Sequence, residues 1–164
     1  EERLGHAAVG NLNLLENSLI TDPKKRFQKK MGFIDFSELN EYTNEIIEKF
    51  NVKTTGVSAL ASSLSGGNLQ KFVVGREIGQ KPSLFIVNQP TWGVDALSAA
   101  NIRQAIVDIA NTGAAIILIS QDLDEILEIS NKVAFLTNGN LSIPTNTMDI
   151  KTDEIGAIMG GISD

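Results

Sequence analysis

Apolar residues along this chain recur with two different periods, and the change from one to the other divides it. Leu39, Tyr42, Ile46, Ile47 and Phe50 keep the three-and-four spacing of one helical face. Asp35, with Glu38 three positions later, reads as a capping box at the start of that helix. Upstream, Leu12, Leu14, Leu15, Leu19 and Ile20 predict a short helix within residues 1–20 whose register stays open. A further helix is expected from Asn68 to about Gly79, ended by Lys81-Pro82. The pattern then changes. Residues 84–87 and 115–119 are short apolar runs of the kind that fill buried parallel strands. Between them Ile102, Ala105, Ile106 and Ile109 predict a helix over 98–110, closed by the turn Asn111-Thr112-Gly113. Asp122 with Glu125 makes a second capping box, for a helix ending near Ile129. Residues 132–137 read as a third strand, Asn138-Gly139 as a tight turn, and 141–143 as a fourth strand pairing back. A last short helix is expected over 153–159, before Gly160-Gly161. Helices dominate the first part and strands alternate with helices afterwards, which indicates an α/β layer preceded by a helical part.

Composition narrows the class. At 164 residues the chain fits one domain, and a net charge of −6 argues against a general binder of nucleic acid or anionic membrane. Zero cysteines exclude a disulfide scaffold and thiolate chemistry, and one histidine, His6, leaves no basis for a histidine-rich metal site. No apolar run approaches the length of a membrane span, so a membrane role would come through a partner. Glu1-Glu2-Arg3 opens the chain without an initiator methionine, which suggests a cleaved product or a piece of a longer chain.

Chemistry concentrates in Leu64-Ser65-Gly66-Gly67-Asn68-Leu69-Gln70-Lys71. A hydroxyl and two glycines stand at the start of a helical run. The first turn of a helix offers unpaired N–H groups and the positive end of its dipole. Glycines admit an oxyanion close to the backbone, and Ser65 adds a donor. The alternative is a serine/glycine loop that caps an ordinary helix.

This stretch resembles the signature motif of ABC-type ATPases. Asn68-Leu69-Gln70-Lys71 is similar to its continuation in importers of sugars and nucleosides. Residues 83–91, with Asn88-Gln89-Pro90-Thr91 at their end, resemble the Walker B strand, and Gly93-Val94-Asp95 the D-loop. Ser120-Gln121-Asp122 sits where the family has its switch histidine. The resemblance covers essentially the whole chain and implies an α/β fold: a partial P-loop NTPase (ABC ATPase) core with a helical subdomain, lacking the N-terminal Walker A portion. Residues 1–63 would be the mainly helical subdomain and connector. Residues 64–164 would be the signature helix and the C-terminal part of the core, within the second ATPase half. No glycine-x4-glycine-lysine-serine/threonine loop occurs in the chain.

The resemblance also implies roles. Ser65, Gly66, Gly67, Gln70 and Asp95 would bind nucleotide across a dimer interface. Asn88 falls at the Mg²⁺-serving position, Gln89 at the base and Gln121 at the switch. An amide carries no carboxylate charge and is no effective general base. The site built on this half therefore reads as degenerate, while Ser65, Gly66 and Gly67 would complete the partner's. ATP and Mg²⁺ are the implied cofactors in the dimeric assembly. The implied partners are the other ATPase half, transmembrane permease subunits and, indirectly, a substrate-binding protein, with no nucleic acid. The implied location is peripheral, on the cytoplasmic face of the membrane.

Gln89 and Gly32-Phe33-Ile34-Asp35 resemble the nucleoside branch of these importers, and that resemblance implies nucleosides rather than simple sugars as cargo. A soluble ABC-fold protein without transport, or a purely structural α/β domain, is the competing class. Lys24-Lys25-Arg26 and Lys29-Lys30, near Phe27, Phe33 and Phe36, read either as a solvated loop or as a docking surface. Trp92 suggests packing at the partner or at a subdomain seam. Asp122, Asp124 and Glu125 are assigned capping and surface roles.

Overall fold

A computed structural model describes residues 4–22 and 25–150, and its contacts form two compact units, Glu1–Ile119 and Ser120–Asp164. In the first unit the elements run α1 (Leu14–Ile20), α2 (Phe36–Lys49), α3 (Gly66–Gly79), β1 (Leu84–Asn88), α4 (Ala96–Asn111) and β2 (Ala115–Ile119). α1 packs on α2, α2 on α3 and α3 on α4.

The register of α1 comes from a capping box that hydrophobic spacing did not reveal. Asn13 Oδ1 accepts from the Glu16 N–H and Glu16 Oε2 accepts from the Asn13 N–H, both at 2.8 Å. Asn17, wholly buried, then pins the preceding loop: its Oδ1 accepts from the Val9 N–H and its Nδ2 donates to the carbonyls of Val9, Leu12 and Asn13. A buried amide is tolerable only when satisfied in this way.

α2 starts where expected, but its capping box is only half made. Asp35 Oδ1 accepts from the Ser37 and Glu38 N–H groups at 3.2 Å. The Asp35 N–H is already taken by the Phe27 carbonyl at 2.7 Å, and Glu38 pairs instead with Arg26 at 3.6 Å. Leu39, Tyr42, Ile46 and Phe50 are buried as their spacing predicts. α3 can lie close against them because a Cβ at Gly75 would sit 2.5 Å from the Phe50 ring. The Tyr42 hydroxyl donates to the Arg76 carbonyl at 2.8 Å; burial pushes its pKa up to about 12, so it stays a donor at ordinary pH. Arg76 in turn reaches the carbonyls of Ala7 and Asn17, joining α3 to the start of the chain.

β1 and β2 are parallel and in register from Leu84↔Ala115 to Asn88↔Ile119, with α4 as the crossover. The expectation that both are buried on two faces is corrected. Phe85 and Val87 are buried, whereas Leu84, Ile86, Ile117 and Ile119 are each about half exposed. Side chains alternate across a strand, so only one face of this two-stranded sheet is covered.

The second unit, described by itself, holds α5 (Leu123–Ile129), β3 (Lys132–Val133), β4 (Leu136–Thr137), β5 (Asn140–Leu141) and β6 (Thr145–Asn146). The strand expected over 132–137 is broken, because its ends pair with different partners: β3 with β6, β4 with β5. Asn138 and Gly139 both have positive φ, at 50° and 80°, the geometry of a two-residue hairpin turn. Asp122 caps α5 by accepting the Glu125 N–H at 3.1 Å, but its own N–H goes to Ser120 Oγ. The second capping box is therefore also one-sided. Glu125, expected on the surface, is fully buried with neither carboxylate oxygen hydrogen-bonded. The helix expected over 153–159 lies outside the described residues, as does Lys24.

Candidate functional site

The candidate site gathers around the start of α3. This helix begins at Gly66, two residues before the expected Asn68, with Ser65 as its N-cap. Ser65 makes no side-chain cap bond. Its Oγ accepts from Asn68 Nδ2 at 2.9 Å, and Asn68 Oδ1 accepts the Lys53 N–H at 2.9 Å. Ser65 and Gly66 are exposed, Gly67 and Asn68 half-buried, and no side chain caps the first-turn N–H groups.

The turn leaving β1 lies against the same helix. Asn88 ends the strand, exposed and paired with Ile119. Gln89 extends the ladder by one bond, its N–H donating to the Ile119 carbonyl at 2.8 Å, and then adopts a left-handed φ of 51°. That conformation costs an L-residue roughly 1–2 kcal/mol, so neighbours must hold it. Two do. The Gln89 carbonyl accepts from the Trp92 N–H at 3.2 Å and from Gln70 Nε2 at 3.2 Å. Gln70 Nε2 also donates to the Pro90 carbonyl at 2.8 Å.

Asp95 ends the turn and caps α4. Its Oδ1 accepts from the Ser98 N–H at 3.0 Å and its Oδ2 from Ser98 Oγ at 2.7 Å; these bonds hold its carboxyl below the usual value of 3.8. The side chain is nevertheless mostly exposed. Lys71, almost wholly buried, places Nζ 2.7 Å from the Asn51 carbonyl and 4.0 Å from Asp95 Oδ2.

Ser65, Gly66, Gly67, Gln70, Asn88, Gln89 and Asp95 thus belong to one unit, while Gln121 belongs to the second, exposed and one residue before the Asp122 cap. Trp92 is 58% exposed. In the basic loop, Lys29 pairs with Asp35 at 2.8 Å and Arg26 stacks over Tyr42 at 4.2 Å, which takes these two members of the expected patch into local structure. Phe27 is core, whereas Phe33 and Phe36 are exposed. Sequence reasoning missed Lys71 and Asn51; no local pattern announces a lysine that caps a distant helix end.

No family model matches the chain. The glucose import ATP-binding protein of Haloferax volcanii is 35% identical over 100% of this chain. The nucleoside import ATP-binding protein of Lactococcus lactis subsp. cremoris is 34% identical over 98%. This chain is homologous to part of the ATP-binding proteins of sugar and nucleoside importers. It spans 30% and 32% of those two relatives' lengths. Among solved structures, a dimeric ATP-binding cassette in a post-hydrolysis state, bound to ADP and Pi, superposes with a TM-score of 0.70 at 19% identity. The match covers 85% of this chain and 59% of that one. The ATP-binding subunit of an ABC transporter gives a TM-score of 0.68 at 19% identity, covering 93% and 58%. The fold is therefore a partial ABC ATPase fold, mixed α/β as expected.

Proposed function

We propose that this chain is part of the ATP-binding subunit of an ABC importer. Ser65, Gly66 and Gly67 complete an ATP site whose phosphate loop belongs to the other ATPase half. Asn88 and Gln89 belong to a degenerate site on its own half. The observation that carries the reading is the exposed, side-chain-uncapped start of α3 held beside a strand end that has amides in place of carboxylates. Phosphoryl transfer needs Mg²⁺, charge stabilisation and an oriented water. Asn88 and Gln89 offer hydrogen bonds but no anionic ligand or base, so effective hydrolysis falls to the partner's site. Asp95 caps α4 and leaves its outer surface available to the partner half.

On this reading residues 1–63 serve as helical subdomain and connector, and 64–164 as signature helix and remaining core. ATP and Mg²⁺ act in the dimer, permease subunits anchor it at the cytoplasmic face of the membrane, and a substrate-binding protein delivers cargo. Gln89 supports nucleoside cargo. A second reading, a simple sugar, is supported by the glucose importer relative at 35% identity.

The test is Mg²⁺-dependent ATP hydrolysis by the full-length protein assembled with its permease in vesicles. Nucleoside-loaded binding protein is expected to stimulate turnover, and sugar-loaded protein to leave it at the basal rate. Stimulation by sugar alone would reverse the cargo assignment; no hydrolysis under any condition would remove the importer reading.

A further inference from the structure

Gly67, Gln70 and Lys71 lie at i, i+3 and i+4, a single stripe along α3. Each meets a different point of the turn that leaves β1. A Cβ on Gly67 would lie 2.6 Å from the Gly93 carbonyl oxygen, so backbone meets backbone there. Gln70, buried, gives its carboxamide to the carbonyls of Gln89 and Pro90. Lys71 stands beside Asp95. The turn is fastened to the helix at its start, middle and end.

We infer that Gln70 is a positioning residue. It acts as a strut that fixes the left-handed Gln89 and ties the strand-end amides to the anion-facing start of α3. Because the two ends of this strut serve different nucleotide sites in the function proposed above, on which this part of the inference rests, Gln70 couples those sites within one chain. This differs from the nucleotide-contact role that the motif implies for it. The Gln70 amide nitrogen is already spent on two carbonyls, and its side chain is turned inward. Its neighbour Lys71 secures the same stripe at the Asn51 carbonyl, so a shift of α3 would carry the turn with it.

Gln70→Met tests the strut, since it keeps the volume and removes the donor; Gln70→Glu is the second variant, placing a carboxylate against two carbonyl oxygens. In amide hydrogen exchange on the purified chain, Gln70→Met is expected to lower protection at Gln89 and Trp92 about tenfold while Ile106 in α4 stays as in wild type. Unchanged protection in both variants, or an equal loss throughout α3 and α4, would overturn the strut. In the assembled importer, Gln70→Met is expected to lower kcat about tenfold with KM for ATP unchanged. A raised KM with kcat intact would instead make Gln70 a nucleotide contact and overturn the positioning role. A wild-type assembly that hydrolyses no ATP would remove the nucleotide reading, and the exchange result would still decide the strut.

Discussion

Gly67 and Gly93 approach so closely that a methyl group on the first would stand 2.6 Å from the carbonyl oxygen of the second. The obstacle is backbone, which cannot swing aside as a side-chain tip would. Gly67→Ala should therefore destabilise the fold by roughly 1–3 kcal/mol, the usual cost of overpacking. In an unobstructed helix the same change gains about 0.5–1 kcal/mol. The sign of the shift in urea midpoint decides. A stabilised alanine variant would leave phosphate access as the sole reason for this glycine.

Asp95 supplies a pH signature. Bonds from Ser98 Oγ and the Ser98 N–H lower its pKa from 3.8, so the folded state holds its proton more weakly than the unfolded chain does. Its contribution is fully present above the unfolded value and fades as pH falls through the lowered one. Asp95→Asn should thus be less stable than wild type near neutral pH, and the gap should narrow below about pH 3.8. Paired urea titrations at the two conditions measure it. A gap that stayed constant would mean the carboxylate charge contributes nothing.

How much of this was readable in advance depended on range. α2 was visible because Leu39, Tyr42, Ile46 and Phe50 all face one local core, and β1 and β2 because their apolar runs are continuous. The break between Val133 and Leu136 was not, since pairing of β3 with β6 and of β4 with β5 is decided by partners beyond a periodicity window. Both capping boxes failed reciprocally for a similar reason: the Asp35 N–H was claimed by Phe27, from outside the motif. At the site, residue types along 64–71 marked a helix start, which is exposed and has no side-chain cap bond. The inward turn of Gln70 depends on carbonyls nineteen and twenty residues away and leaves no trace in the pattern.

Ile86 and Ile117 are register partners, 59% and 49% exposed, in the middle of the uncovered sheet face. Neighbouring Leu84 and Ile119 enlarge this apolar surface, and patches of this sort drive association. The chain should self-associate in solution, and Ile86→Thr with Ile117→Thr should shift it toward monomer while leaving the strands intact. Light scattering reads the outcome. A clean monomer of the unaltered chain at high concentration would sink the idea.

The chain by itself should bind Mg-ATP weakly, because it contains no phosphate-loop sequence to cradle the β- and γ-phosphates. Calorimetric titration is expected to give a dissociation constant above about 10 μM, or weaker than roughly −7 kcal/mol. Tighter binding would mean that the chain holds nucleotide without a partner.

The sharpest separation of the two half-sites uses Ser65 rather than Gly67, because Gly67 also packs against Gly93. Ser65→Asp places a carboxylate at the N-cap of α3, where it suits the helix dipole and should keep or raise thermal stability. The same charge would repel a phosphate from the first-turn N–H groups. Hydrolysis by the assembled importer should fall at least about tenfold although the fold is undamaged, a loss worth roughly 1.4 kcal/mol or more of transition-state stabilisation. Gln89→Asn, which keeps an amide and tolerates the left-handed conformation, should cost much less, since in the proposed function its site lacks a base already. Steady-state rates at matched assembly compare the two. If Gln89→Asn abolished turnover while Ser65→Asp left it near wild type, these residues would have to be exchanged between the competent and the degenerate site.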